Sequence, residues 1–278
     1  MRAVVAVVGG LGLSAGLAMA GGLPALNDYS IFKVRTATQT SDAPPAGVDG
    51  YFGVQRITSF NGGPAFFGTA TVSSPSTGSR AMSFLNPGDP TLVGMYVFSS
   101  TFASEADLNA FLPADRYTFT ITGGAYGDAS AVLDVPQGNL WSSQPHIANY
   151  SALQGVSVGS PVKVSYDVAA LDPGAVGGGV FWTVTGPGGV VVQGGFRGFG
   201  DPGTFTISEP LQQNATYTIS LAFSARQFAT EPGTGVLASA QGFVAFDSVT
   251  TATFTTAPTP GSVALLGVAG LAVLRRRR

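Results

Sequence analysis

One short segment matches the sequence pattern of a serine nucleophile. The residues Gly155-Val156-Ser157-Val158-Gly159 have the G-x-S-x-G spacing at which a hydrolase places its serine on a sharp strand-to-helix turn. That turn requires a helix after the serine, whereas Pro161 and a β-type pattern follow here. The catalytic base should lie downstream of the serine, but His146, the one histidine of the chain, lies upstream. We therefore interpret the segment as a polar turn and predict no catalytic residue and no enzymatic activity.

Few residues in the chain could bind a metal or a cofactor. The sequence contains no Cys, which excludes disulfides, thiolate metal sites and a Cys nucleophile. A single histidine cannot form a multi-histidine site, and no D-x-[DN]-x-[DN]-G calcium loop is present. Nothing in the sequence links any of the Glu residues, Glu105, Glu209 and Glu231, to a sugar-cleaving cleft. We predict neither a metal nor a cofactor.

Aromatic residues beside an arginine provide the candidate binding surface. The segment Gly194-Gly195-Phe196-Arg197-Gly198-Phe199-Gly200 predicts a Gly-rich loop whose side chains could stack on sugars or contact a protein. The other interpretation is that Trp182 packs in a core and the two Phe residues cover its open end. The predicted ligand contacts are Trp141, Phe196, Arg197 and Phe199.

The charge distribution argues against a nucleic-acid partner. Five of the 13 Lys and Arg residues, Arg2 and Arg275–Arg278, lie in the two ends of the chain, which leaves eight against 15 acidic residues. Phosphate recognition needs clustered Lys and Arg. The acidic body therefore predicts no nucleic-acid binding.

The composition and the alternating apolar pattern predict an all-β fold. Thr, Val, Phe and Tyr are frequent, Gly and Pro interrupt the pattern, and one short helix is expected at Ser104–Phe111, where Ser104-x-x-Asp107 forms a capping box. Strands are predicted at 31–36, 51–60, 65–72, 81–85, 92–102, 117–122, 129–135, 162–168, 180–185, 190–193, 204–208, 216–224 and 242–255. We expect two β-sandwich-like domains.

The predicted domains are separated by a polar stretch. Residues 21–138 form the first β domain, the Gln/Gly/Asn/Ser-rich residues 139–145 form a linker, and residues 146–257 form the second domain. Gly186-Pro187-Gly188-Gly189 predicts a hairpin turn within the second domain. Leu211 precedes Tyr217 by six residues at the start of a strand, which is the spacing of a tyrosine corner. This region resembles a fibronectin-III-like or immunoglobulin-like sandwich, with Tyr166 where the fibronectin type has a Trp. A jelly roll is the alternative for either domain.

The N-terminus has the features of an export signal. Met1-Arg2 is a basic start, Ala3–Leu17 is an apolar region, and Ala18-Met19-Ala20 fits the small-x-small rule for signal cleavage. We predict that residues 1–20 are a signal peptide, that Ala18 and Ala20 define the cleavage site, and that the mature protein begins at Gly21.

The C-terminus has three parts that suit short-lived membrane contact. A Pro-x-Pro element precedes 14 uncharged residues, Gly261–Leu274, which are followed directly by four arginines. As a helix those residues reach about 21 Å, which is short of the roughly 30 Å hydrocarbon core of a bilayer. The arginines would stay on the cytoplasmic side by the positive-inside rule. The signal residues are Pro258, Thr259, Pro260, Arg275, Arg276, Arg277 and Arg278.

This tail, residues 258–278, resembles the PEP-CTERM sorting signal, with Thr259 at a position where that family usually has Glu. The resemblance implies that an exosortase-type sorting protease recognises the tail in the membrane and cleaves near the Pro-x-Pro element. An ordinary tail anchor is the alternative.

Together these features predict an exported, non-enzymatic protein of the cell surface or extracellular matrix, at least transiently anchored in the membrane. The alternative is a carbohydrate-binding module that acts on extracellular polysaccharide. Loss of polysaccharide affinity on changing Trp141, Phe196 or Phe199 to Ala would favour the alternative.

Overall fold

The computed structural model describes residues 26–59, 67–85, 94–167, 172–200 and 203–257. Within these ranges the chain is mostly β-structure with one α-helix, α1 (Glu105–Phe111), so the predicted all-β class is confirmed. The strands are β1 Leu26–Gln39, β2 Gly50–Ser59, β3 Gly68–Ser74, β4 Gly78–Leu85, β5 Gly94–Phe102, β6 Arg116–Gly123, β7 Ala129–Asp134, β8 Val162–Ser165, β9 Gly177–Thr185, β10 Val191–Arg197, β11 Thr204–Ile207, β12 Thr216–Phe228 and β13 Gln241–Thr255.

Eleven of these strands form one sheet. Their order is β10-β9-β12-β13-β1-β2-β5-β4-β3-β6-β7, and β11 and β8 form a separate two-stranded sheet. Neighbouring strands are antiparallel, with β1 and β13 as the single parallel pair among the described strands. The parallel register runs from Asp28 opposite Gln241 to Gln39 opposite Ala252. The first and last strands of the described chain are therefore adjacent.

The two central strands are covered on both faces. Every residue from Asp28 to Val34 in β1 and from Gly242 to Thr250 in β13 is buried. Successive side chains of a strand point to opposite faces, so continuous burial means that both faces of the sheet are packed here. This explains why the sequences of these strands do not alternate cleanly between apolar and polar residues.

The first hydrophobic core forms where the long sheet folds back on itself. Tyr29 and Ile31 of β1 and Phe246 of β13 pack in one cluster with Phe119 of β6 and Leu133 of β7. The ring centroids of Tyr29 and Phe119 are 5.7 Å apart. Strands β3, β6 and β7 thus form the second layer of a sandwich whose first layer is β13, β1 and β2.

The second core lies between β9, β12 and β13 and the small β8/β11 sheet. Trp182 stacks on Phe205 with ring centroids 4.1 Å apart, and Tyr166 packs between Phe205 and Phe223. Tyr217 is buried, and its hydroxyl oxygen accepts a hydrogen bond of 2.7 Å from the backbone N–H of Gln212. The predicted tyrosine corner is therefore confirmed, as is the packing of Trp182 and Tyr166 inside this sandwich.

Both cores lie on the same face of the shared strands. Val244 and Phe246 of β13 belong to the first core, whereas Ala252 and Phe254, an even number of residues further along, belong to the second. The predicted ranges 21–138 and 146–257 consequently meet in one sheet through β1 and β13. Their division into separate domains stays a prediction.

The opposite face of the shared strands, here called the reverse face, carries a third cluster. Phe32 and Val34 of β1 and Phe243, Ala245 and Val249 of β13 are buried on it. Charged residues lie among these apolar side chains, namely Asp28, Arg56, Arg226 and Asp247. The guanidinium of Arg56 is 3.3 Å from the Asp28 carboxylate, which is an ion pair within the sheet.

Local sequence signals are confirmed at several places. Helix α1 begins after Ser104, whose hydroxyl oxygen accepts a hydrogen bond from the Asp107 backbone N–H at 3.1 Å and donates to Asp107 Oδ2 at 2.7 Å, so Ser104 caps the helix as predicted. A tight turn at Pro187–Gly189 joins β9 to β10 where the hairpin is predicted.

Residues 1–25 and 258–278, which include the predicted signal peptide and sorting tail, lie outside the described residues. No helix of the described ranges is long and apolar enough to cross a membrane.

The predicted Gly-rich loop at 194–200 is wrong for its first half. Residues 194–197 belong to strand β10, where Gly194 pairs with Thr183 and Gly195 pairs with Trp182 of β9. A Cβ at Gly195 would lie 2.4 Å from the Trp182 ring, so a glycine is needed for the Trp to pack against the backbone of the neighbouring strand. Here Gly marks a close approach within a strand rather than a loop.

Candidate functional site

A group of polar side chains lies on the shared face of the sheet, between the two cores. Strand β1 contributes Lys33 and Arg35, which are two residues apart and therefore point to the same face as Tyr29 and Ile31. In the parallel register Lys33 is opposite Phe246 and Arg35 is opposite Ser248 of β13. We call this region, together with α1 and residues 139–145, the polar junction.

Helix α1 reaches the polar junction because β2 has a glycine beneath it. A Cβ at Gly53 would lie 3.0 Å from Phe111 and 3.1 Å from both Leu108 and Leu112, so the apolar side of the helix rests on the strand backbone. Gly53 is also the register partner of Lys33 on β1. The sequence thus uses a residue without a side chain to bring the helix close to the buried lysine.

Lys33 is held from two sides by amide oxygens. Its Nζ donates hydrogen bonds to Oδ1 of Asn109 on α1, at 2.8 Å, and to Oδ1 of Asn139, at 3.0 Å. The ammonium also lies 5.9 Å from the centre of the Phe246 ring. The residue is 2% exposed, so these contacts replace water around a buried charge.

Glu105 completes this group from one helical turn before Asn109. Its Oε1 accepts hydrogen bonds from Nδ2 of Asn139 and from Nε1 of Trp141, the second at 3.0 Å. Asn139 is therefore bound through both ends of its amide, with the carbonyl on Lys33 and the nitrogen on Glu105. The Trp141 ring meets Phe246 edge to face, with centroids 5.7 Å apart.

Burial and charge shift the ionisation of both charged groups. Burial lowers the pKa of the Lys33 ammonium to about 8, although the nearby Glu105 carboxylate opposes that shift. Burial acts in the opposite sense on Glu105 and raises its pKa, but the hydrogen bonds from Trp141 and Asn139 and the charges of Arg35 and Lys33 outweigh it. The pKa of Glu105 therefore lies below its usual value. Near neutral pH the site therefore holds a carboxylate beside an amine that loses its proton more readily than an exposed lysine does.

Arg35 fixes the segment that follows Asn139 to the sheet. Its Nε donates to Ser248 Oγ at 2.8 Å and its Nη2 donates to the backbone oxygen of Ser142 at 2.5 Å. Ser248 Oγ itself donates to the same Ser142 oxygen at 3.2 Å. The guanidinium also lies 5.3 Å from the centre of the Trp141 ring. One arginine thus joins β1, β13 and the predicted linker.

The rest of the predicted linker is bound in the same way. Gln144 donates through Nε2 to the Val249 backbone oxygen at 2.8 Å, and Thr250 donates to the Pro145 oxygen at 2.6 Å. The amide of Gln39 exchanges two hydrogen bonds of 2.8 Å with the backbone of Ile147. Residues 139–147 contain no regular helix or strand, but their backbone is bonded to side chains of the sheet at Ser142, Pro145 and Ile147.

His146 and Ser157 have separate surroundings, and His146 bonds to groups other than Ser157. The two ring nitrogens of His146 lie 2.9 Å from Asp167 Oδ2 and 2.7 Å from the Asp42 backbone oxygen, so the histidine connects two loops. Ser157 is exposed and directly precedes a turn at residues 158–159. Across the described ranges, no three His, Asp or Glu side chains lie close enough together to hold a metal ion.

The four predicted ligand contacts do not form a single surface. Trp141 is part of the polar junction, whereas Phe196 packs on Phe181 of the reverse face, with ring centroids 4.7 Å apart. Phe199 packs against the second core. The two Phe rings cover the backbone of Gly179 and Gly178 respectively, which face opposite sides of β9. Arg197 is exposed beside them, and its role as a ligand contact stays a prediction.

Sequence reasoning missed the polar junction, although one signal for it was present. The strand Ile31-Phe32-Lys33-Val34-Arg35 has two basic residues at alternate positions of a run that is otherwise apolar. In a strand with both faces packed, such residues must find buried partners. The partners come from residues 76 and 106 positions later in the chain, which periodicity cannot identify.

No family model matches this chain, and no curated protein matches it. Among solved structures, the FN1-FN3 domains of chicken CNTN1 share 12% sequence identity with it, over 85% of this chain and 68% of that one, at a TM-score of 0.22. The BSP domain of a biofilm associated protein shares 11% identity at a TM-score of 0.23. That match covers 92% of this chain and 55% of the length of the BSP-domain chain. Similarity at these scores carries no argument about strand arrangement or function.

Proposed function

We propose that this chain is an exported, non-enzymatic protein of the cell surface or extracellular matrix that bears mechanical load between its two ends. The supporting observation is the parallel pairing of β1 with β13 over twelve register pairs. The described chain enters this pair at Leu26 and leaves it at Thr255. In a parallel pair, the start of one strand and the end of the other lie at opposite ends.

Tension between the two ends therefore acts along the strands. It must shear the hydrogen bonds between β1 and β13 together rather than open them one at a time. The antiparallel neighbour β12 differs, because Thr216 at its start lies opposite Thr255 at the end of β13. Force applied there would open that pair from one end. The more resistant geometry thus lies between the first and last strands of the described chain.

Export and sorting belong to the same proposal. The small residues Ala18 and Ala20 after an apolar stretch support signal cleavage, and the tail from Pro258 to Arg278 supports membrane contact and processing by an exosortase-type sorting protease. A protein attached to the surface through such a tail would carry force through β13, the last described strand before it.

Pulling single molecules by introduced thiols tests the load-bearing function. Because the chain contains no Cys, Asn27→Cys with Ala257→Cys gives one unique pair of handles, and Gln213→Cys with Ala257→Cys gives a matched second pair. The first pair loads β1 and β13 in shear, and the second opens β12 from β13. We expect the first pair to break at several-fold higher force in one event. Equal rupture forces would refute the proposal.

The alternative function, binding of extracellular polysaccharide, has support from one position. Phe196 is 51% exposed on β10, an edge strand, and the neighbouring Arg197 is also exposed. If this edge binds sugar, Phe196→Ala abolishes retention on insoluble polysaccharide while the protein stays folded. Phe199→Ala is the comparison, because Phe199 packs on the second core and its loss should lower stability rather than affinity.

A further inference from the structure

We propose that the polar junction is a self-modification site, at which Lys33 and Asn139 form an intramolecular amide bond with Glu105 as the group that transfers the proton. This inference is independent of the proposed mechanical function. It rests on an amine, a carboxamide and a carboxylate that contact one another in sequence inside the protein.

The contacts have the order that an amide exchange requires. The nucleophile, Lys33 Nζ, is 3.0 Å from the Asn139 carbonyl oxygen and therefore adjacent to the carbonyl carbon bonded to it. The leaving group, Asn139 Nδ2, is hydrogen-bonded to the Glu105 carboxylate. Asn109 holds the amine from the other side at 2.8 Å, and Trp141 holds the carboxylate at 3.0 Å. Each reacting group is positioned before any reaction begins.

Burial makes the uncharged amine of Lys33 easier to reach than that of an exposed lysine. Lys33 is 2% exposed and lies against the ring of Phe246, so water competes poorly with it for the carbonyl carbon. The lowered pKa of its amine is consistent with a nucleophile that is available near neutral pH. The choice of Asn139 over Asn109 follows from Glu105, which contacts the nitrogen of Asn139 that must leave.

The reaction releases one ammonia molecule and needs no oxidant or cofactor. The uncharged Nζ attacks Cγ of Asn139, and the carbonyl electron pair moves to Oδ1. Glu105 accepts a proton from the attacking nitrogen and delivers it to Nδ2. When the carbonyl re-forms, the bond between Cγ and Nδ2 breaks, ammonia departs, and Nζ remains joined to Cγ. Glu105 is again a carboxylate at the end, so it acts as a catalytic group.

The new bond would close a loop between residues 106 positions apart. It would join β1 covalently to the segment between the two predicted domains, next to the hydrogen bonds of Arg35 with Ser142 and Ser248. Because β1 is a central strand of the sheet, the bond would tie the middle of the fold to a segment that has no strand of its own.

Tryptic peptide masses of the full-length protein test the bond directly. If Lys33 is linked, trypsin cannot cleave after it. The digest then contains one branched peptide, in which the peptide that ends at Arg35 is joined to the peptide Tyr117–Lys163. Its mass is the sum of the two linear peptides less one ammonia. Lys163, which is exposed, is cleaved in the same digest and is the internal control. A linear peptide that ends at Lys33, with Tyr117–Lys163 at its unmodified mass, would overturn the proposal.

Two variants test the roles of the partners. Glu105→Gln keeps the size of the side chain but cannot transfer a proton. We expect the bond to form at least about 10²-fold more slowly in this variant. Lys33→Arg keeps a buried cation and should give no branched peptide. A branch to Ala81–Arg116, which contains Asn109, would instead refute Asn139 as the partner. The digest of the wild-type protein decides whether the bond exists. The proposal can therefore be refuted even if a variant fails to fold.

Discussion

Asp247 on β13 lies opposite Ser224 on β12, within the buried reverse face of the sheet. Arg226, two residues further along β12, lies between the rings of Phe181 and Phe243, at 5.0 and 4.7 Å from their centres. Burial raises the pKa of the Asp247 carboxyl to about 6, although the Ser224 hydroxyl and the charges of Arg226 and Arg56 act against that shift. This carboxyl is therefore uncharged in mildly acidic solution.

The first prediction concerns stability as a function of pH. The folded-state pKa of Asp247 is above the usual value of 3.8, so its contribution to stability is fully present below pH 3.8 and is lost as the pH rises to about 6. Asp247→Asn removes this loss, and we expect a gain on the order of 3 kcal/mol in the free energy of unfolding at pH 7.5. Urea unfolding at pH 4 and pH 7.5 measures it.

Asp134→Asn, at an exposed position of β7, is the control for the same change of side chain outside the buried face. If Asp247→Asn gives the same difference between the two pH values as the wild type, the carboxyl is not the group that titrates.

The second prediction concerns the glycine beneath helix α1. In Gly53→Ala the new methyl group would lie 3.0 Å from Phe111 and 3.1 Å from Leu108 and Leu112. These side chains are packed in the first core, so the helix must move away from β2, at a cost of about 1–3 kcal/mol. Gly47→Ala is the matched control, because no atom lies within 4 Å of its Cβ position. Equal unfolding midpoints in urea for the two variants would contradict the close approach of helix and strand.

The third prediction concerns the tyrosine corner. Tyr217→Phe keeps the stack on Phe254, whose ring centre is 5.3 Å away, but leaves the Gln212 backbone N–H without its acceptor. We expect a loss of about 1 kcal/mol in the free energy of unfolding. Tyr150→Phe, in the same core, removes a hydroxyl that makes no hydrogen bond within the described residues and should change stability little. Thermal or urea unfolding of the two variants decides the point.

The sequence locates several elements because local signals mark where they begin or end. Gly186 to Gly189 ends β9, the Ser104 cap begins α1, and Tyr217 marks the corner of the second sandwich. These are effects of neighbouring residues on one another, and a short window of sequence contains them.

The pairing of β1 with β13 could not be predicted in the same way. It joins residues such as Arg35 and Ser248, which are 213 positions apart, and no local pattern specifies a partner at that distance. The length of β1 was underestimated for a related reason. Asp28 and Ser30 interrupt its apolar pattern before residue 31, yet both are buried, because they bond to each other and to Arg56 of β2.

The last prediction concerns the C-terminal tail, for which the sequence supplies the argument. A helix of Gly261–Leu274 would be about 9 Å shorter than the hydrocarbon core, so it can be accommodated only by thinning of the bilayer or by extension of the arginine side chains. Replacing Arg275–Arg278 with Ser removes the cytoplasmic anchor, and we expect the protein to change its location. Pro258→Ala with Pro260→Ala should instead keep membrane insertion and block tail removal, because the two prolines set the local backbone that a protease would recognise. The measurement compares membrane-bound and released fractions of the three proteins and the C-terminal mass of the released form. Wild-type protein that stays wholly membrane-bound with Arg278 intact would favour an ordinary tail anchor over sorting.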